Sequence, residues 1–164
     1  PEYLRLSRDG AGFEDSPLGV LWRYVIDLAG GGVSERQLDD AGIELPRIND
    51  GRTGHAYRYA YAVHQPNNRE MRGVVRYDLE TGARQRYEVP PGDQNSEPVF
   101  VPRPGAQSED DGWVLVCVYR QEGDRSDVVV LDARDLTAGP LATVRLPRRI
   151  PAGFHGAWLP REAG

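Results

Sequence analysis

A spacing of about fifty residues runs through this chain and restricts what it can fold into. Ile43-Glu44-Leu45-Pro46 is answered 53 positions later by Ser96-Glu97-Pro98-Val99-Phe100-Val101-Pro102. Asp-Leu-x-x-Gly occurs three times, at Asp27 to Gly31, Asp78 to Gly82 and Asp135 to Gly139. A fixed period of this size, built from short strands, belongs to the blades of a β-propeller rather than to a sandwich or an α/β sheet. Each unit opens at the same structural place. Two of those places carry a carboxylate, and the third, Gly153-Phe154-His155-Gly156, carries an imidazole.

Between the repeats the pattern reads as strand after strand. Residues 1–20 form an irregular lead-in. Strands at 21–28 and 33–38 make a partial blade over 21–40. Four strands at 44–48, 56–64, 73–79 and 83–89 fill a blade over 44–90, and four at 97–102, 113–120, 127–133 and 141–146 fill another over 97–147. Residues 153–159 open a closing blade within 153–164. The expected fold is all-β, about three blades of a propeller, with no helix. In each Asp-Leu-x-x-Gly, glycine can take the positive φ of a short bulged hairpin while the aspartate bonds the turn backbone, so these motifs mark blades and not an active site. Tyr57, Tyr59, Tyr61 and Val63 alternate with Ala and Arg, which suits a sheet stacked between neighbours. The longest loop, 104–112, is expected to be solvated by Glu109, Asp110 and Asp111.

Composition excludes several partners. There are 19 glycines and 13 prolines, too much punctuation for long helices. A net charge of -5 gives no general attraction to nucleic acid or anionic lipid. No run of 18 apolar residues is present, so no transmembrane segment is expected. The first residues, Pro1-Glu2-Tyr3-Leu4-Arg5, lack both an initiator Met and an apolar signal core, as expected of a piece of a longer protein. The single cysteine, Cys117, excludes a disulfide framework and fits a reducing, cytoplasmic location. Within Trp113-Val114-Leu115-Val116-Cys117-Val118-Tyr119 it reads as a small buried hydrophobe, because no motif places an acid–base partner beside it.

In a propeller the first strand of each blade is innermost and lines the axis. Glu44, Glu97 and His155 occupy comparable places, at spacings of 53 and 58. A carboxylate flanked by apolar residues needs a hydrogen-bond donor or a cation, since burying it bare would cost several kcal/mol. A histidine ring N–H is one such donor, and a metal-bound imidazole a better one. An arginine would serve Glu97 equally well. His55 and His64 bracket one strand and read as surface or strand-end residues. The residues alone reach a polar cluster at the axis, half of a metal site or an internal ion pair.

Three stretches then carry a resemblance: Ile43-Glu44-Leu45-Pro46-Arg47-Ile48-Asn49, Ser96-Glu97-Pro98-Val99-Phe100-Val101-Pro102-Arg103, and Asp127-Val128-Val129-Val130-Leu131-Asp132-Ala133 followed by Gly153-Phe154-His155-Gly156. Together, and in this order, they resemble the C-terminal part of the carotenoid cleavage dioxygenases, a family that includes the lignostilbene dioxygenases and the retinoid isomerase of the pigment epithelium. The resemblance implies a single seven-bladed propeller domain with one Fe(II) on its axis, held by four histidines. Three outer glutamates accept hydrogen bonds from the ligand imidazoles. It implies that His155 is the last iron ligand and that Glu44 and Glu97 are two of those glutamates, with the other ligands outside this chain. The implied reaction is cleavage of a conjugated C=C bond of a carotenoid, apocarotenoid or stilbenoid by O2. With one ligand of four, the chain alone is expected to be inactive, and its open strand edges to self-associate or pair with the missing part. A propeller scaffold without metal is the alternative. A calcium-dependent hydrolase or lactonase is disfavoured because calcium requires several oxygen ligands.

Overall fold

The computed structural model describes residues 16–160; the start of the lead-in and the end of the closing segment lie outside the described residues. The strands found there are β1 (Trp22–Ile26), β2 (Val33–Gln37), β3 (Ile43–Ile48), β4 (Tyr59–His64), β5 (Val74–Asp78), β6 (Arg84–Tyr87), β7 (Gln94–Asn95), β8 (Val99–Pro102), β9 (Gly112–Arg120), β10 (Arg125–Asp132) and β11 (Asp135–Arg145). The only helical element among the described residues is a 3-10 turn at Asp50–Arg52. Neighbouring strands pair antiparallel: β1 with β2, β3-β4-β5-β6 in chain order, and β11-β10-β9 with β7 and β8 end to end on β9. The second and third of these sheets are blades with one plan.

They stand side by side with matching edges together. The inner strand β3 lies against β8, and the outer strand β6 against β11. Sheets fanned about a common axis contact in this way, and the fold is an open arc of β-propeller blades.

β4 explains how one sheet packs on both sides. Its Tyr61 is buried, stacks on Phe100 at 5.9 Å and donates its hydroxyl to the Ala133 carbonyl at 3.0 Å. Around it Val114, Val116, Val129, Leu131 and Leu136 form the core between the blades. Ala60 and Ala62, pointing the other way, pack with Ile43, Val75 and Tyr77. Large side chains on one face and small on the other follow from the period of two, and each fully buried large apolar side chain stabilises by about 1.5–3 kcal/mol. Asp39 ties the partial blade to its neighbour by accepting from the Tyr77 hydroxyl at 2.6 Å and pairing with Arg84 at 2.7 Å.

Several expectations need correction. The acidic trio of the long loop is not solvated. The Glu109 carboxylate accepts the backbone N–H groups of Arg58 and Tyr59, Asp110 is buried against Arg76 at 2.9 Å, and Asp111 pairs with Arg103 and Arg134. Sequence shows three charges in a loop, whereas the unpaired N–H groups and arginines that claim them come from elsewhere in the fold. The third Asp-Leu-x-x-Gly does not sit in the hairpin turn. The turn is Ala133-Arg134, and Gly139 at φ 78° lies inside β11, where the register against β10 shifts. Gly31 (φ 71°) and Gly82 (φ 75°) do close their turns, each N–H returning to the Asp carbonyl. Tyr57 precedes β4 and is exposed. Cys117 is half-buried on the open face of β9, not in the core, and burial raises its thiol pKa. Residues 153–159 form no strand, because no neighbour among the described residues offers them a ladder.

Candidate functional site

Both innermost strands break at their carboxylate. β3 pairs Glu44 with Val63, then resumes at Arg47 with Tyr61, so Leu45 and Pro46 together face one residue of β4. Leu45 takes φ 50°, an uncommon conformation for a branched side chain, and Pro46 has no N–H to give the ladder. In the next blade β7 ends at Asn95 and β8 begins at Val99, leaving Ser96, Glu97 and Pro98 between them. These bulges turn side chains out of the simple alternation. One delivers Arg47 and the other Glu97 to the same point.

The chain reaches that point a third time through a strap. After β11, the Ile150 N–H bonds the Ser126 hydroxyl at 2.9 Å and the Arg149 guanidinium lies 4.9 Å from the centre of the Tyr119 ring. The strap crosses the open face of β9 and β10 over a hollow of ≈ 520 Å3, lined in part by Leu115, Cys117, Tyr119, Val128 and Trp158. It then brings His155 and Gly156 to Glu97.

Glu97 is 4 % exposed and its two oxygens differ in their partners. Oε2 accepts from Arg47 Nη1 at 2.6 Å and from the Gly156 N–H at 2.9 Å. Oε1 lies 3.1 Å from His155 Nδ1. Burial pushes the Glu97 carboxyl up, but the Gly156 N–H, His155 and Arg47 together outweigh it and hold the group below the usual glutamate range. An ionised carboxylate only accepts, so Nδ1 carries a proton, and in the neutral ring Nε2 presents a lone pair. The His155 side chain is 76 % exposed, so that lone pair is accessible. This tautomer, fixed by a carboxylate on the far nitrogen, is the arrangement a metal-ligating histidine needs.

The structure therefore joins Glu97 and His155, and does not join Glu44 to them. Glu44 is half-buried with Oε1 above Gly19, and its carboxylate has no hydrogen-bond partner among the described residues. His64 ends β4 opposite Ile43, with Nδ1 4.0 Å from Glu88, and His55 is exposed. No group of three metal-ligating side chains occurs among the described residues. Sequence reasoning left open which arginine would meet Glu97. Arg47 lies 50 residues before it, three short of the 53-residue repeat that matches Glu97 with Glu44, and the break at Leu45-Pro46 is what brings Arg47 to it. The period points to the right strand of the neighbouring blade but not to Arg47 itself.

With this geometry in hand, comparison with known proteins gives the class. The family description "Retinal pigment epithelial membrane protein" matches residues 2–160, and the chain belongs to that family of carotenoid oxygenases. It is 38 % identical over 149 residues to the apocarotenoid-15,15'-oxygenase of Synechocystis sp., covering 89 % of this chain and 30 % of that protein. Over 65 residues it is 49 % identical to the isoeugenol monooxygenase of Pseudomonas nitroreducens, covering 40 % of this chain and 14 % of that one. The crystal structure of cobalt-substituted Synechocystis ACO superposes with a TM-score of 0.84 at 36 % identity, over 90 % of this chain and 32 % of that one. The chain thus spans about a third or less of the length of these relatives.

Proposed function

We propose that this chain is the C-terminal portion of a non-haem Fe(II) dioxygenase that cleaves a conjugated C=C bond with O2. The observation that carries the reading is the Glu97–His155 pair: a buried carboxylate fixes Nδ1–H and leaves an exposed Nε2 lone pair. The donor set fits the metal in kind, because imidazole suits ferrous iron. His155 would be one ligand and Glu97 its orienting partner. Glu44, with a carboxylate awaiting a donor, would orient a second imidazole from outside this chain. Iron held by neutral imidazoles with open positions supplies reactivity toward O2. Everything else this chain does is positional. Gly156 and Arg47 hold Glu97, Glu97 holds the ring, and the strap holds both against the blade. The substrate would be a carotenoid, apocarotenoid or stilbenoid; a relative named for isoeugenol extends the range to a smaller alkene.

One imidazole cannot retain iron at useful affinity, so the segment alone would be inactive. Exposed Tyr24, Val25 and Ile26 on β1 and Leu28 in the turn after it, with Leu141 and Val144 on the edge strand β11, support its self-association or pairing with the remaining blades. The deciding experiment replaces His155 with Ala in the intact protein and measures bound iron and O2-dependent cleavage. Both should be lost. Wild-type iron content and activity in H155A would end the ligand assignment, and an intact wild-type protein that binds no iron would be a propeller scaffold instead.

A further inference from the structure

We propose that Arg47 is a positioning residue for His155, setting both the seat and the electron donation of the ring from the neighbouring blade. This rests on the reading of His155 as a metal ligand. Arg47 Nη1 bonds Glu97 Oε2 at 2.6 Å and the Gly156 carbonyl at 2.9 Å, so one nitrogen grips the ring's partner and the backbone beside the ring. The Gly156 N–H returns to the same Oε2 at 2.9 Å, closing a three-cornered network. Nη2 is held from the far side by both oxygens of Asp50, at 3.1 Å each. Two donors on Oε2 leave Oε1 for Nδ1–H, so Arg47 decides which oxygen meets the ring. The planar fork bonds Glu97 and Gly156 through one nitrogen while the other is anchored on Asp50, and a lysine ammonium, with one nitrogen, could not span both sides.

The charge acts along the same line. A carboxylate compensated by a guanidinium draws on Nδ1–H less than a bare buried one, so Arg47 moderates how strongly His155 donates through Nε2. Without Arg47 the ring would be a stronger donor on a looser mount. Ferric iron would then be favoured relative to ferrous, and the metal would leave faster. A residue serving only blade-to-blade stability would lower melting and leave both properties alone.

The test uses the intact iron-loaded protein and reads metal loss to a chelator, midpoint potential and melting temperature. Arg47→Met should speed metal loss about tenfold, the low end of the effect of deleting a ligand's own hydrogen-bonded partner because Arg47 acts through Glu97, and lower the potential. Arg47→Lys keeps the charge and loses the Asp50 anchor that fixes the donor against Glu97. It should hold the potential near wild type while the metal still leaves faster. Arg84→Met breaks a comparable ion pair to Asp39, remote from the site, and should lower melting only. Metal retention and potential at wild-type values in R47M would overturn the proposal. If R47M does not fold, wild-type metal retention in R47K does so. H155A run alongside separates the readings: full iron retention there removes the ligand assignment itself, whatever Arg47 does.

Discussion

Glu97 is asked to be two acceptors at once, and an amide cannot be. In Glu97→Gln the side-chain oxygen should stay with Arg47 and the Gly156 N–H, both of which only donate toward it. The amide NH2 then faces His155 Nδ1, which must become the acceptor, and the ring proton moves to Nε2. We expect 15N shifts of the His155 ring, recorded where it is neutral, to report Nδ1–H in the wild type and Nε2–H in E97Q. An unchanged tautomer would show that Glu97 does not set it. At this scale sequence went far with Glu97 and His155, because a carboxylate among apolar residues demands a donor. It was silent on Arg47, one of 20 cationic side chains, until the blades were placed side by side.

Elements were legible where periodicity was strong and misread where a distant partner decided. β4, β5, β9 and β10 follow from alternation, and all three Asp-Leu-x-x-Gly glycines do take positive φ. The loop before β9 was misread because the value of Glu109 lies at the start of β4, where the N–H groups of Arg58, just before the strand, and Tyr59 would otherwise be unpaired. Glu109→Ala should therefore cost about 1–3 kcal/mol in a denaturant titration, the usual penalty for stranding donors of this kind. Glu122→Ala, at an exposed turn, should stay within about 0.5 kcal/mol of wild type. Equal effects at the two sites would mean that the loop is not a clamp. The missing strand at 153–159 has a different cause: strands need a neighbour, and pattern alone does not supply one.

For the whole molecule, ion pairs and buried tyrosines set a pH window. Hydrogen bonds from Arg58 hold Asp78 far below its ordinary value of 3.8. Burial raises Asp39 and Asp127, but Tyr77 with Arg84, and Arg120 with Arg125, reverse this and leave both below 3.8. Groups lowered by folding stabilise above their unfolded pKa, and that contribution disappears as pH falls through the lower folded values. Burial raises Tyr61 and Tyr77 above 10.0, so their contribution is full below pH 10 and fades above it. Melting temperature should be level between about pH 5 and 9 and fall on either side. A maximum below pH 4 would contradict these pairings. The fold was readable at this scale because the fifty-residue period records the blades directly; the proposed ligand set was not, because His155 is the one member of it that this chain would supply.

The central claim is that His155 meets a metal through Nε2 while Glu97 holds its Nδ1–H. Proton NMR of the Co(II)-substituted intact protein tests this most directly, since the ring N–H of each ligating histidine gives a far-shifted, solvent-exchangeable line. The shifted lines should be lost in H155A together with the metal, and in E97A, where the ring keeps its ligand nitrogen, one of them should exchange faster. A spectrum with every shifted line intact in H155A would contradict the account.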